Sequence, residues 1–208
     1  MRKYATEFIG TFFLVLTIGC TGIAAGPGVI APLAIGAVLM VMIYAGGHVS
    51  GAHYNPAVTT GVFLRGRLPA ADVVPYISAQ LLGAAAAAGV VLFFKTAPPA
   101  SPFYPVIGAG FAAEFLFTFA LAYVVLNTAT AKATSGNSYF GLAIGFTVLA
   151  GAFAVGDVSG GAFNPAVAVG ASIMGLLPWS SIWLYVVADL LGGAAAALVF
   201  KALNPEDR

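Results

Sequence analysis

The chain reads G-G-H-V-S-G-A-H-Y-N-P-A-V from Gly46 to Val58, and V-G-D-V-S-G-G-A-F-N-P-A-V from Val155 to Val167. The copies stand 109 residues apart in a chain of 208, so each half carries one. The repetition extends outward from them. Leu33-Ala34-Ile35-Gly36 returns as Leu142-Ala143-Ile144-Gly145, and Gln80-Leu81-Leu82-Gly83 returns as Asp189-Leu190-Leu191-Gly192, again at 109. Glu7 in an early apolar stretch is echoed by Glu114. A repeat of about half the chain, in so apolar a sequence, points to a membrane transporter or channel built from two like halves.

Composition sets the solvent. The chain is 61% hydrophobic and 7% charged, against roughly 25% charged in soluble domains, and its mean hydropathy is +1.00. This is the composition of an integral membrane protein. A net charge of +1 speaks against nucleic acid as a partner. The one cysteine, Cys20, excludes an intramolecular disulfide and a multi-cysteine metal site, and reads as a small packing residue. Met1-Arg2-Lys3 before an apolar run resembles a signal peptide, but the run continues to about Ala25 and carries Glu7, so it reads as a first membrane helix.

Six long apolar segments cover about 4–25, 29–47, 71–95, 105–127, 139–156 and 179–202. Two shorter ones start at Asn55 and Asn164 and last about ten residues, too few to span. Three spans per half is odd, so a direct repeat in sequence is inverted in the membrane. Seven of the eight Lys and Arg residues, all but Lys95, fall on the side of the N-terminus, which the positive-inside rule makes cytoplasmic. Thr96 to Pro105 is then an external cover, and Thr128 to Ser138 joins the halves inside. Gly83 to Gly89 and Gly192 to Ala197 are small-residue stripes that let helices pack closely.

Asn-Pro-Ala reads as a helix start, with asparagine as N-cap and proline at the first helical position. The capping oxygen accepts from the first turn and leaves the side-chain NH2 free to donate elsewhere. Gly51, Gly160 and Gly161 permit an extended approach whose carbonyls face a cavity. Two inverted half-helices then meet start to start near the midplane. Their positive dipole ends repel a cation there and tolerate a neutral hydrogen-bonding solute.

Both motifs, the pattern of six spans plus two half-helices, and Glu7 with Glu114 identify a chain that resembles the aquaporin (major intrinsic protein) family over essentially its whole length. The resemblance implies an all-α membrane protein with six transmembrane helices and two re-entrant half-helices in an inverted repeat. It implies one channel domain over 1–208, with halves of about 1–100 and 105–208. It also implies passive permeation of water and small uncharged solutes, a homotetramer in the lipid bilayer, no cofactor and no enzymatic activity. Asn55 and Asn164 match the paired central donors. Pro56, Ala57, Pro165 and Ala166 match the half-helix starts, and Gly51, Ala52, His53, Gly160, Gly161 and Ala162 match the pore-lining stretches. Glu7 and Glu114 match glutamates that hold the re-entrant loops, against the alternative of charges snorkelling to the lipid edge.

The chain departs from the family at the outer constriction. The position usually held by arginine is Val167, and the other three filter positions are Ile35, Ala152 and Gly161. Lost volume makes the filter wide. Lost donors leave a permeating water only loop carbonyls, so the site is either a wet vestibule or a hydrophobic gate. Solutes of glycerol or urea size are expected to pass. His53 is expected to face the pore, with simple loop packing as the alternative. Asp157 is expected to support its loop rather than sit free in solvent, and Asp189 is a carboxylate in a helix whose depth stays open.

An ion or proton pathway is the competing function, suggested by the missing arginine and by Glu7, Glu114, Asp157 and Asp189. His48 and His53, five apart, form no HExxH motif, and no Gly-x-Ser-x-Gly or cysteine cluster occurs, so nothing points to catalysis. The short chain and loops suggest a prokaryotic inner membrane.

Overall fold

The computed structural model describes residues 1–22, 30–95 and 101–207. Among them six helices are long and apolar enough to cross a membrane. The first half contains α1 (Arg2–Gly22), α2 (Ala31–Ser50), the short α3 (Pro56–Leu64) and α4 (Ala70–Phe94). The second repeats the order as α5 (Ile107–Val125), α6 (Phe140–Ser159), the short α7 (Pro165–Ile173) and α8 (Ile182–Leu203). The chain is a multi-pass integral membrane protein. At nine residues each, α3 and α7 rise about 13 Å, under half of a ~30 Å hydrocarbon core.

Several boundaries differ from the expectation. Helices α2 and α6 do not stop at 47 and 156 but continue to Ser50 and Ser159. The residues that end them are Gly51 and Gly160, at φ 85° and 90°, a left-handed cap that favours glycine. Gly47 and Gly156 stay helical and accept the caps' N–H groups. The connector between the halves begins as a π-helical turn, Leu126–Thr130, prolonging α5. The expected end of the first span at 23–25, and residues 96–100 of the external cover, lie outside the described residues.

The halves interlock rather than abut. Helix α2 crosses α6, α3 packs on α8, and α7 packs on α4 and α1. The repeated Leu-Ala-Ile-Gly segments meet at their glycines: a Cβ on Gly36 would stand 2.8 Å from Gly145 O, and one on Gly145 2.5 Å from Gly36 O. Close backbone approach replaces side-chain burial as the cohesive term, because lipid is as apolar as leucine. The stripes follow this only in part. Gly83 lies on Phe8 O, Gly192 on Phe115 O and Gly193 on Ala57 O, whereas Gly89 faces open space.

Ion pairs gather at one end. Asp207 takes Arg65 Nη2 (2.7 Å), Arg67 Nη2 (3.2 Å) and the Lys132 backbone N–H (2.7 Å), tying the end of α3, the connector and the chain's last turn together. The Arg65 guanidinium also lies 4.5 Å over the Phe200 ring. Lys3 pairs with Asp72 between α1 and α4. The Lys132 N–H, then the two arginines, hold the Asp207 carboxyl below its ordinary range.

Two outcomes follow. Gly193→Val forces a side chain into Ala57 O and is expected to cost at least about 1–3 kcal/mol, read as a lower melting temperature in detergent, while Gly89→Ala is neutral or slightly stabilising. Asp207 stabilises only while ionised, so its contribution is lost as pH falls through its depressed folded value. The protection factor of the Lys132 amide against hydrogen exchange is therefore expected to fall in Asp207→Asn at neutral pH, and in the parent only under acid conditions.

Candidate functional site

The site starts from two turns of backbone. After Gly51, Ala52 and Tyr54 adopt φ 51° and 50°, and after Gly160, Gly161 and Phe163 adopt 65° and 48°. The approach to each half-helix is thus not extended, as glycine alone suggested, but alternates into the left-handed region, with non-glycine residues at three of those places. Each such residue costs about 1–3 kcal/mol and persists only where its surroundings fix it.

Two carboxylates do the fixing. Glu7 Oε1 accepts from Ser50 Oγ (2.7 Å) and His53 N (2.9 Å), and Oε2 from Tyr54 N (2.6 Å) and Gln80 Nε2 (2.8 Å). Glu114 repeats the grip on Ser159 Oγ (2.6 Å), Ala162 N (3.0 Å) and Phe163 N (2.6 Å). Both glutamates are 0% exposed and neither snorkels to lipid. The serines return a bond to the loop, to Ala52 N and Gly161 N. Tyr76 and Tyr185 hydroxyls donate to the last carbonyls of α2 and α6, Ser50 O (2.8 Å) and Ser159 O (2.5 Å). Ser50/Ser159 and Tyr76/Tyr185 escaped the sequence reading, although both pairs recur at 109 and could have been found by that spacing alone.

Asn55 caps α3 through Ala57 N (2.8 Å), and Asn164 caps α7 through Ala166 N (2.9 Å). Pro56 and Pro165 open the helices, with Ala57 and Ala166 fully buried behind them. The side-chain NH2 groups are not wholly free. Asn55 Nδ2 donates to Phe163 O (2.8 Å) and Asn164 Nδ2 to Tyr54 O (2.9 Å), so each loop is strapped to the other. One N–H remains on each asparagine.

A cavity of about 330 Å³ passes this junction. It is lined by Asn55 and Asn164, by Ala52, His53, Gly160, Gly161 and Ala162, and by the four residues expected at the outer constriction, Ile35, Ala152, Gly161 and Val167. Gly51 is not among them; it lines a second cavity of about 670 Å³ at the basic end, with His48 and Arg67. Ile43 and Ile144 line both, so the cavities meet there. Among the described residues no Asp, Glu, Lys or Arg side chain lines the first cavity. The carbonyls of Ala52, His53, Gly160, Gly161 and Ala162 accept no backbone bond among the described residues, which leaves acceptors for whatever enters.

His53 is 7% exposed. Gln80 Nε2 donates to Thr59 Oγ1 (2.9 Å), and Thr59 Oγ1 lies 3.1 Å from His53 Nδ1. Asp157 is exposed on α6 and makes no hydrogen bond or ion pair among the described residues, so the support expected of it falls to Ser159. Asp189 is 0% exposed and accepts from Thr118 Oγ1 inside the bundle rather than at a membrane edge. Cys20 is half-buried in α1.

Comparison with known proteins agrees with this architecture. The profile of the major intrinsic protein family matches residues 1–200. A glycerol uptake facilitator protein-like 6 from Lactiplantibacillus plantarum is 37% identical, with the whole of both chains covered. Aquaporin NIP1-3 from Oryza sativa subsp. japonica is 35% identical over all of this chain and 75% of its own length. In fold, the X-ray structure of the aquaglyceroporin from Plasmodium falciparum superposes with a TM-score of 0.81 at 21% identity, covering 99% of this chain and 97% of that one. Matched by the profile over residues 1–200 and by relatives over its whole length, the chain belongs to the major intrinsic protein family of membrane channels.

Proposed function

We propose that the protein is a passive channel for water and small uncharged solutes whose outer filter is wide and apolar. The observation that carries this is the cavity at the Asn55–Asn164 junction, free of charged side chains among the described residues and lined by neutral polar groups, chiefly the two asparagines, His53, Thr21 and the loop carbonyls. A solute there exchanges water for those groups without meeting a fixed charge. Relatives named for glycerol uptake and for aquaporins support the solute class. Asn55 and Asn164 each present one N–H to the permeant, and Ile35, Ala152, Gly161 and Val167 form the filter. Glu7 and Glu114 act at a distance from it, by holding the loops.

Ion conduction lacks a route on this reading. Glu7, Glu114 and Asp189 are buried off the cavity, and Asp157 does not line it. A planar bilayer containing the protein is expected to stay electrically silent, and voltage-dependent current would restore the competing reading. The basic end is assigned to the cytoplasm, and the assembly to four copies in a prokaryotic inner membrane.

The test is stopped-flow light scattering on proteoliposomes. Fast shrinkage in sucrose followed by fast re-swelling in glycerol is expected; water flux without solute uptake would overturn the wide filter. Val167→Arg narrows the passage and adds a charge. It is expected to slow glycerol entry on the order of tenfold, ~1.4 kcal/mol of barrier, while water still passes.

A further inference from the structure

The repeat breaks at one buried position. In the first half Gln80 gives one N–H to Glu7 Oε2 (2.8 Å) and another to Thr59 Oγ1 (2.9 Å). In the second, Asp189 stands where Gln80 does, and Ala168 where Thr59 does. Asp189 and Glu114 are both 0% exposed on the packed helices α8 and α5, and the repeat sets Asp189 beside Glu114 as it sets Gln80 beside Glu7. Asp189 Oδ1 accepts from Thr118 Oγ1 (3.0 Å), one helical turn along α5 from Glu114. Asp189 Oδ2 has no donor.

Two carboxylates side by side away from water cannot both ionise without a cation. The ion pairs among the described residues are confined to Asp72 and Asp207, so α3, α5 and α7 bring neither carboxyl a Lys, Arg or His. The other titratable neighbour is Tyr185 on α8, whose hydroxyl is committed to Ser159 O. We propose that this pair is a buried proton-binding site, with Asp189 as a neutral acid whose Oδ2–H donates to Glu114. That hydrogen replaces the Nε2–H that Gln80 gives Glu7. Glu114 keeps the charge because three N–H and O–H donors already converge on it. Neither residue lines the cavity, so the proton braces the second loop and is no stop on a conduction path.

Infrared spectroscopy of the protein in liposomes at neutral pH tests this, because solvent-facing carboxyls are ionised there and a protonated-carboxyl C=O band reports a buried acid. The parent is expected to show one such band. Asp189→Asn, whose amide supplies the same donor, is expected to lose it. Thr118→Val removes the donor to Oδ1 and is expected to shift it. A parent spectrum without the band, or a band that survives in Asp189→Asn, would overturn the site. Should Asp189→Asn not be recovered folded, a band unmoved in Thr118→Val overturns it equally.

Discussion

A peptide N–H stranded at membrane depth has no water to bond, and the turns before Asn55 and Asn164 would strand several. The chain answers with one buried carboxylate per half, each taking two consecutive loop N–H groups and a serine hydroxyl. Everything at the junction leans on that grip. It holds Ala52, Tyr54 and Phe163 in backbone conformations they would not choose and aims the half-helix starts at each other. It also turns the loop carbonyls toward the cavity. A charge buried alone at this depth would be prohibitive; several short donors make it the loop's anchor.

Around this junction the two halves are alike in backbone and unlike in chemistry. The first half runs an unbroken polar chain from Glu7 through Gln80 and Thr59 to His53. The second ends in Asp189 and puts Ala162 where the histidine was and Ala168 where the threonine was. The polar side chains near the cavity are therefore weighted toward the basic end. Toward the opposite end, the proposed filter contributes only Ile35, Ala152, Gly161 and Val167.

The fold was largely legible because its signals are long-range and redundant. A 109-residue repeat, six apolar runs and two runs too short to span leave few architectures open. Helix ends were harder. Gly46-Gly47 and Gly156 look like terminators, yet they stay helical, and Gly46 is glycine because Tyr54 and Thr6 leave no room for a Cβ. Left-handed Ala52, Tyr54 and Phe163 were beyond reading, since nothing in an alanine or an aromatic announces positive φ. The cross-strapped asparagines were half legible: the cap follows from residue type, but the partner carbonyl belongs to the other half of the chain. Asp157 misled because adjacency to the motif suggested a contact that Ser159, two residues on, makes instead.

The packing of α3 on α8 has a consequence for synthesis. The first half-helix leaves the ribosome early, but the helix it rests on is the last to arrive, and Asn55 finds its acceptor only when Phe163 is in place. Until then α3 is a capped, half-length segment beside a vacant groove. The re-entrant loops must therefore settle late, after all six spans are threaded, and the two of them together. An isolated first half would hold its carboxylate grip on the loop but have no floor for α3, so the channel is a single cooperative object made from two incomplete ones.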